Sequence, residues 1–327
     1  MFGGTLPRVR MCANSSAADV AHGVDAALDM LAGARRIIRV SNDELAHIVH
    51  TVGSFDAAVD RAALRVHTVD RIPLRDGRMA PATWWLRGER RRVRGSTMWL
   101  AHGQTAGRML VDAGLAAGEW VHCLPLMLPP SYLPSATSLA GRTAVRACFE
   151  MAPGVRLVIG IDPHADDHRA SGWARAVLDD RRRDVRVAQI SPARVGSSDR
   201  YQVRLPDGGT LPGPLRLSDL LAAADLFVAS GHDLEACSPA VAAVACGVPV
   251  VAVITDSIAE HVLSNGSGFV VPGRASSVAQ AVRALLDTVP PPRRAPTDQT
   301  QPGAELARGL LAAYRRVLSR SAMGGAA

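Results

Sequence analysis

In the second half of the chain, short runs of β-branched and aliphatic residues alternate with alanine- and leucine-rich stretches of helical spacing. This alternation limits the fold more than any other feature of the sequence. Val155–Ile161 (VRLVIGI), Val185–Ile190 (VRVAQI), Leu226–Ala229 (LFVA), Val248–Ile254 (VPVVAVI) and Gly268–Val271 (GFVV) read as buried strands. Between and after them, Trp173–Leu178, Leu217–Ala224, Pro239–Ala245, Ile258–Leu263 and Val278–Leu286 read as helices. Strands that are apolar on both faces and separated by helices make a parallel sheet covered on both sides. The expectation is a doubly wound α/β domain whose ligand lies at the carboxyl ends of the strands.

The first half repeats the pattern less completely. Ala17–Leu31 reads as a helix, Arg36–Val40 (RIIRV) as a strand, Glu44–Val52 as a helix and Leu64–Thr68 (LRVHT) as a strand. Arg87–Gly95 then reads as a basic helix, Thr97–Ala101 as a strand, Thr105–Ala113 as a helix and Trp120–Leu124 (WVHCL) as a strand. The proline-studded stretch Pro125–Pro134 reads as an inter-domain connection. The expected organisation is a reduced Rossmann-like domain over residues 1–130, a more complete one over 131–287, and a Pro-rich linker with a C-terminal amphipathic helix over 288–327. That helix, Glu305–Leu318 (ELARGLLAAYRRVL), carries an apolar stripe that needs cover. Packing back across the domain junction would bury it, at roughly 1.5–3 kcal/mol per large side chain. Arg308, Arg315 and Arg316 beside the stripe leave a membrane surface as the other reading.

Composition narrows the chemistry. Apolar residues make up 48% of the chain but aromatics only 4%, so the cores are expected to be aliphatic. There is no lysine: all 37 cationic residues are arginine, a bias that a GC-rich coding sequence explains as well as nucleic-acid binding does. Schiff-base and Walker-type lysine chemistry is thereby excluded. A cation that holds phosphate must be arginine, which suits bidentate recognition. Cys12, Cys123, Cys148, Cys237 and Cys246 are scattered and form no CxxC pair, so they read as small buried hydrophobes in a reducing compartment. No apolar run reaches the roughly 18–20 residues of a bilayer span, and Met1–Arg10 lacks the apolar core of a secretory signal. A cytoplasmic protein is expected.

Asp225–Pro272 (DLFVASGHDLEACSPAVAAVACGVPVVAVITDSIAEHVLSNGSGFVVP) resembles the donor domain of retaining, nucleotide-sugar-dependent glycosyltransferases of group 1, family 4-like, which have the two-Rossmann GT-B architecture. The pieces that carry the resemblance are a strand ending in Ser230, a loop with Glu235, the passage Ala243–Val251, Glu260, and the strand Gly268–Pro272. Arg65–Leu74 is similar to a strand end of the family's acceptor domain. Glu89–Pro130 is similar to the passage before the domain crossover, and Thr143–Gly160 to the first helix and second strand of the donor domain. The resemblance implies an α/β, GT-B-like fold with two Rossmann-type domains facing a cleft, the N-terminal one incomplete. It implies a hexosyltransferase-type enzyme of carbohydrate biosynthesis that moves a sugar, with retention, onto a glycan, lipid or small-molecule acceptor.

Carried over residue by residue, the resemblance has Glu235 holding the donor sugar and Arg142 neutralising the diphosphate, with Arg146 as a second cation. Ser230, Gly231, Gly247, Asp256, Ser257 and Glu260 line or support the donor site, and Asp70 or His67 faces the acceptor. No metal or other cofactor is called for, because arginine and helix dipoles can stabilise the leaving nucleotide. The departures are also specific. The family's two glutamates stand eight positions apart, but here the second falls on Ala242 and Glu235 is one position off its place. Asp256 and Ser257 stand where glycines are usual, Asp70 where a histidine is usual, and the first N-terminal strand with its Gly-rich loop is missing unless Met1–Leu6 is a remnant. These losses support a second reading, a catalytically degenerate glycosyltransferase-like protein that binds a ligand or partner. A sugar-nucleotide epimerase shares the fold but needs acid–base groups that the sequence does not supply.

Three further features carry readings from their residues alone. Asp162–His168 (DPHADDH) is dense in potential metal ligands, but they sit on one short loop with no distant partner and read as a solvated turn before a helix. Arg87–Arg94, preceded by Trp84 and Trp85, reads as an exposed helix face, with peripheral contact to an anionic membrane as the functional alternative and nucleic acid not expected. His102, at a strand end, is either an acceptor-side group or a structural histidine.

Overall fold

The computed structural model describes residues 6–13, 18–41, 44–53, 64–69, 71–75, 78–92, 97–124, 128, 132, 138–161, 172–178, 184–192, 200–206, 209–229, 234–235, 239–253, 262, 268–272, 274–287 and 300–324. Its contacts divide the chain into two units. Unit 1 takes Met1–Leu128, Asp233–Cys237 and Asp298–Ala327, and unit 2 takes Pro129–His232 and Ser238–Thr297.

Unit 1 opens with β1 (Arg8–Ala13), α1 (Ala18–Gly33), β2 (Ile38–Arg39), β3 (Ile48–Val52) and β4 (Leu64–Thr68). Three short strands follow, β5 (Arg71–Ile72), β6 (Leu74–Arg75) and β7 (Arg78–Pro81), and then α2 (Thr83–Arg92), β8 (Thr97–His102), α3 (Gln104–Asp112) and β9 (Val121–Leu124). The main sheet is six-stranded in the order β2-β1-β3-β4-β8-β9, with every pairing parallel. Two sequence expectations are corrected here. Arg8–Ala13 supplies the first strand that the sequence reading leaves out, and Ile48–Val52, read there as part of a helix, is a buried strand between β1 and β4. The apolar residues Leu45, Ile48, Val49 and Val52 fit helical spacing, but only an extended chain buries all five residues of β3 within a sheet.

Unit 2 contains α4 (Ser138–Cys148), β10 (Arg156–Ile161), α5 (Gly172–Leu178), β11 (Val185–Pro192), β12 (Arg200–Arg204), β13 (Leu215–Arg216), α6 (Leu217–Ala223) and β14 (Leu226–Ala229). The chain then adds the two-residue β15 (Leu234–Glu235), which is counted with unit 1. It returns to unit 2 for α7 (Pro239–Ala245), β16 (Val250–Val253), β17 (Gly268–Val271) and α8 (Ala275–Asp287). The seven strands run β13-β12-β11-β10-β14-β16-β17; β12 pairs antiparallel with both its neighbours, and the other pairings are parallel. Val158, Val187, Leu226, Val228 and Val251 pack with Trp173 and Val177 of α5 and with Val278 and Val282 of α8. Leu157, Ile159, Phe227 and Val250, which alternate with them, are also fully buried, as expected of a sheet covered on both faces.

The last helix, α9 (Thr300–Gly324), belongs to unit 1. Its stripe of Leu306, Leu310, Tyr314 and Val317 joins one core with Val24 and Leu28 of α1 and with Val66, Leu100 and Leu124 of the sheet. The apolar face seen in the sequence is therefore covered by protein. Arg320 near its end bonds Glu119 at 2.8 Å and lies over the Trp120 ring. No helix among the described residues is long and apolar enough to cross a membrane. Of the cysteines read as buried, Cys246 is so, with its thiol pushed up to about 12 by burial, whereas Cys148 is exposed.

Candidate functional site

In an open parallel sheet, ligands settle where successive crossovers leave in opposite directions, outside the carboxyl ends of the two strands concerned. In unit 2 the chain passes from β10 outward to β11 and later returns to β14 on the other side of β10, so that point lies between β10 and β14. The segments leaving these two strands are residues 162–171 and 230–233, both outside the described residues. Ser230, Gly231, Asp256, Ser257, Glu260 and the Asp162–His168 cluster lie there too, as does Asp70 of unit 1.

Glu235 follows the second of these segments. Its backbone is described: β15 pairs antiparallel with β5, Glu235 opposite Arg71 and Leu234 opposite Ile72. Ile72 is buried in the unit 1 cluster that includes Trp99 and Leu110, which anchors the ladder. Gly247 ends α7 at φ +70°, with its N–H donating to Val244 O and the Val248 N–H to Ala243 O. This left-handed turn, open to glycine at little cost, directs the chain into β16.

Arg142 is not where the resemblance led us to expect it. Its guanidinium donates to Ala222 O at 2.9 Å and to Asp225 Oδ1 at 3.2 Å. Arg146 donates to Asp225 Oδ2 at 3.0 Å and also to Val155 O, and the Leu157 N–H reaches Asp225 Oδ2 at 2.8 Å. Asp225 precedes β14 and Leu157 is the second residue of β10, so this network lies at the amino-terminal edge of the sheet, opposite the expected ligand end. The physical reason is topological. Arg156–Ile161, likened above to the family's second strand, takes the place of the first strand of the doubly wound unit, between β11 and β14. The helix bearing Arg142 precedes that strand and delivers its arginines to the far edge. Burial opposes the charge on Asp225, but the Leu157 N–H, Arg146 and Arg142 together hold its carboxyl below the ordinary range. Asp225→Ala is expected to lower unfolding free energy by about 2–4 kcal/mol, since it strands two part-buried guanidinium groups. Urea denaturation measures this, and a loss under about 1 kcal/mol would refute the assignment.

In unit 1 a row of polar side chains is buried toward the carboxyl ends of β3, β4 and β8. On the face covered by α9, His50 shares hydrogen bonds with Tyr314 Oη (2.6 Å) and Thr68 Oγ1 (2.7 Å). His102 lies close enough to act on His50 electrostatically; with desolvation as the main cause, His50 is lowered to about 3. On the other face His67 Nδ1 is 2.9 Å from Thr51 Oγ1, and its ring stands edge-on to Trp99 at 5.0 Å between centroids. His67 and His102 are both buried, at 1% and 5% exposure. The sequence reading names His67 and His102 but misses His50 and Tyr314, whose meeting across 264 positions leaves no periodic signal. Among the described residues, no group of three His, Cys, Asp or Glu side chains is placed to hold a metal ion.

Two α/β units in one chain, each a largely parallel sheet with helices on its faces, are consistent with the GT-B fold, and solved glycosyltransferase-type structures match it over nearly the whole chain. Residues 174–288, from α5 to the end of unit 2's last helix, match the family model described as glycosyl transferases group 1. Among similar solved structures are a sucrose-phosphate synthase from Thermosynechococcus elongatus (TM-score 0.59, 14% identity, 96% of this chain and 94% of that one) and a glycosyltransferase from Rickettsia africae (TM-score 0.55, 11% identity, 97% and 94%). A third is the Anabaena protein HepE in complex with UDP and glucose (TM-score 0.50, 14% identity, 96% of both chains). No curated protein matches the sequence.

Proposed function

We propose that unit 2 binds a nucleotide diphosphate-sugar and that the chain transfers the sugar, with retention, to a glycan, lipid or small-molecule acceptor. One observation carries this reading: the group 1 match, 174–288, falls on a unit whose strand order puts its ligand point between β10 and β14. Glu235 is the carboxylate proposed to hold the donor sugar. Ser230, Gly231, Asp256, Ser257 and Glu260 surround the donor, and Gly247 supports the strand beside it. Asp70 is the group proposed for the acceptor side; His67, buried against Thr51 and Trp99, is withdrawn from that role. The cation for the diphosphate is reassigned from Arg142 to the segment that joins β10 to α5, in which Arg169 is the sole arginine. An arginine there suits a diphosphate that backbone N–H groups also hold.

Ala242 favours the second reading, a glycosyltransferase-like binding protein without turnover. It is fully buried in α7 and carries no group that could accept a ribose hydroxyl.

Calorimetric titration with UDP, GDP and ADP separates the two readings. Under the transferase reading one nucleotide binds below millimolar, and Glu235→Ala and Arg169→Ala each weaken it about tenfold, the loss of one charge-assisted hydrogen bond. Arg142→Ala is expected to lower thermal stability and leave the affinity unchanged. If no nucleotide binds at millimolar concentration, the transferase reading fails and the partner-binding one stands.

A further inference from the structure

α2 carries Trp84, Arg87, Arg90, Arg91 and Arg92 and a single acid, Glu89. The fold separates them by face. Glu89 is 3% exposed, while Trp84 is 69% exposed and Arg87 and Arg90 stand at the surface. Trp85 packs against the cluster that holds Trp99, Met109 and Leu110, and Arg90 donates to Ala113 O at 2.6 Å, so α2 is fixed to α3 by its inner side. Val111, in the last turn of α3, adds an exposed aliphatic side chain two residues from that bond. With its one acid turned inward, α2 itself presents an indole and guanidinium groups outward, and Asp112, beside Val111, is an exposed acid on the neighbouring helix.

We propose that this face seats the protein on an anionic lipid surface. Cations that meet lipid headgroups around an indole at interfacial depth are the chemistry of a helix lying in the membrane plane. A single-stranded nucleic acid would call for several aromatic platforms along a groove, and base-edge reading for Asn or Gln side chains. α2 offers one exposed aromatic among its described side chains and neither amide.

The full chain is tested by co-sedimentation with vesicles of phosphatidylcholine alone and of phosphatidylcholine mixed with phosphatidylglycerol, at low and at physiological salt. Binding is expected only to the mixed vesicles, weaker at the higher salt. Arg87→Gln should weaken it about fivefold, the value of one juxtamembrane charge. Arg87→Lys should restore it, and Trp84→Ala should weaken it at least as much as Arg87→Gln. Because both side chains are exposed, the thermal midpoint should stay put in each variant. Equal binding to neutral vesicles, no binding to the mixed ones, or binding indifferent to Trp84→Ala and Arg87→Gln would each overturn the proposal. The last result would trace adhesion to the net charge of the whole chain. Tighter binding to an oligothymidylate, weakened by the same two variants, would overturn it in favour of nucleic acid.

Discussion

Replacing Gly268 with alanine is expected to cost unit 2 at least about 3 kcal/mol, the upper end of what overpacking does. Gly268 pairs with Val250 at the start of β17, and a Cβ built on it would overlap the Val250 carbonyl and crowd that residue's nitrogen and carbonyl carbon. A flexible neighbour could swing aside, but here the obstacle is the backbone of a fully buried strand. The strain can be relieved only by moving β17 away from β16, which breaks their ladder and loosens α8 over them. At Gly160 an added Cβ would overlap the ring of Trp173, which is buried too but is a side chain, not the backbone of a paired strand. Urea unfolding should therefore rank Gly268→Ala as more damaging than Gly160→Ala. A Gly268→Ala protein within about 1 kcal/mol of the parent would show that β17 does not pair as described.

The second large effect is acid sensitivity centred on His50. In the folded chain it is buried between Tyr314 and Thr68 with His102 nearby, and its pKa is lowered from 6.5 to about 3, desolvation being the main cause. Between those two values the unfolded chain takes up a proton that the folded one refuses. Stability from this group is thus complete above about pH 6.5 and is lost as pH falls toward 3, by about 2 kcal/mol between pH 7 and pH 5. Asp225, whose pKa is also lowered, acts in the same direction but only from the ordinary carboxylate range downward, below about pH 5. Thermal melts at pH 7 and pH 5 separate the two. His50→Asn should be less stable at pH 7, having lost its bonds to Tyr314 and Thr68, but should show a clearly smaller decline toward pH 5. Equal declines in parent and variant would move the acid-sensitive group elsewhere, to His122, whose pKa burial also lowers.

Much of unit 2 could be read directly from the sequence. The strands Leu226–Ala229 and Gly268–Val271 and the helix Pro239–Ala245 have the same bounds in the structure as in the sequence reading, because each is a short apolar run bounded by polar, Gly or Pro residues. Leu64–Thr68 of unit 1 is legible from a different pattern, the alternation of Leu64 and Val66 with Arg65 and His67. β1 escapes because arginines at positions 8 and 10 interrupt its apolar residues, and β12 because Arg200, Gln202 and Arg204 interrupt its own. The candidate site is less legible. The order of Ser230, Glu235 and Gly247 along the chain is plain in the sequence, whereas the position of Arg142 depends on which strand is central, and local spacing does not encode strand order.

By itself, then, the sequence determined the α/β class, the donor-like segment and the use of arginine as the only permanent cation, since periodicity and residue type act over a few positions. Tertiary structure alone decided that Arg142 and Arg146 meet Asp225 some eighty positions away, that Tyr314 closes over His50, and that Glu89 turns inward beneath an arginine face. Each of these depends on distant segments being brought together as the sheets assemble, where burial makes a charge costly unless it finds a partner.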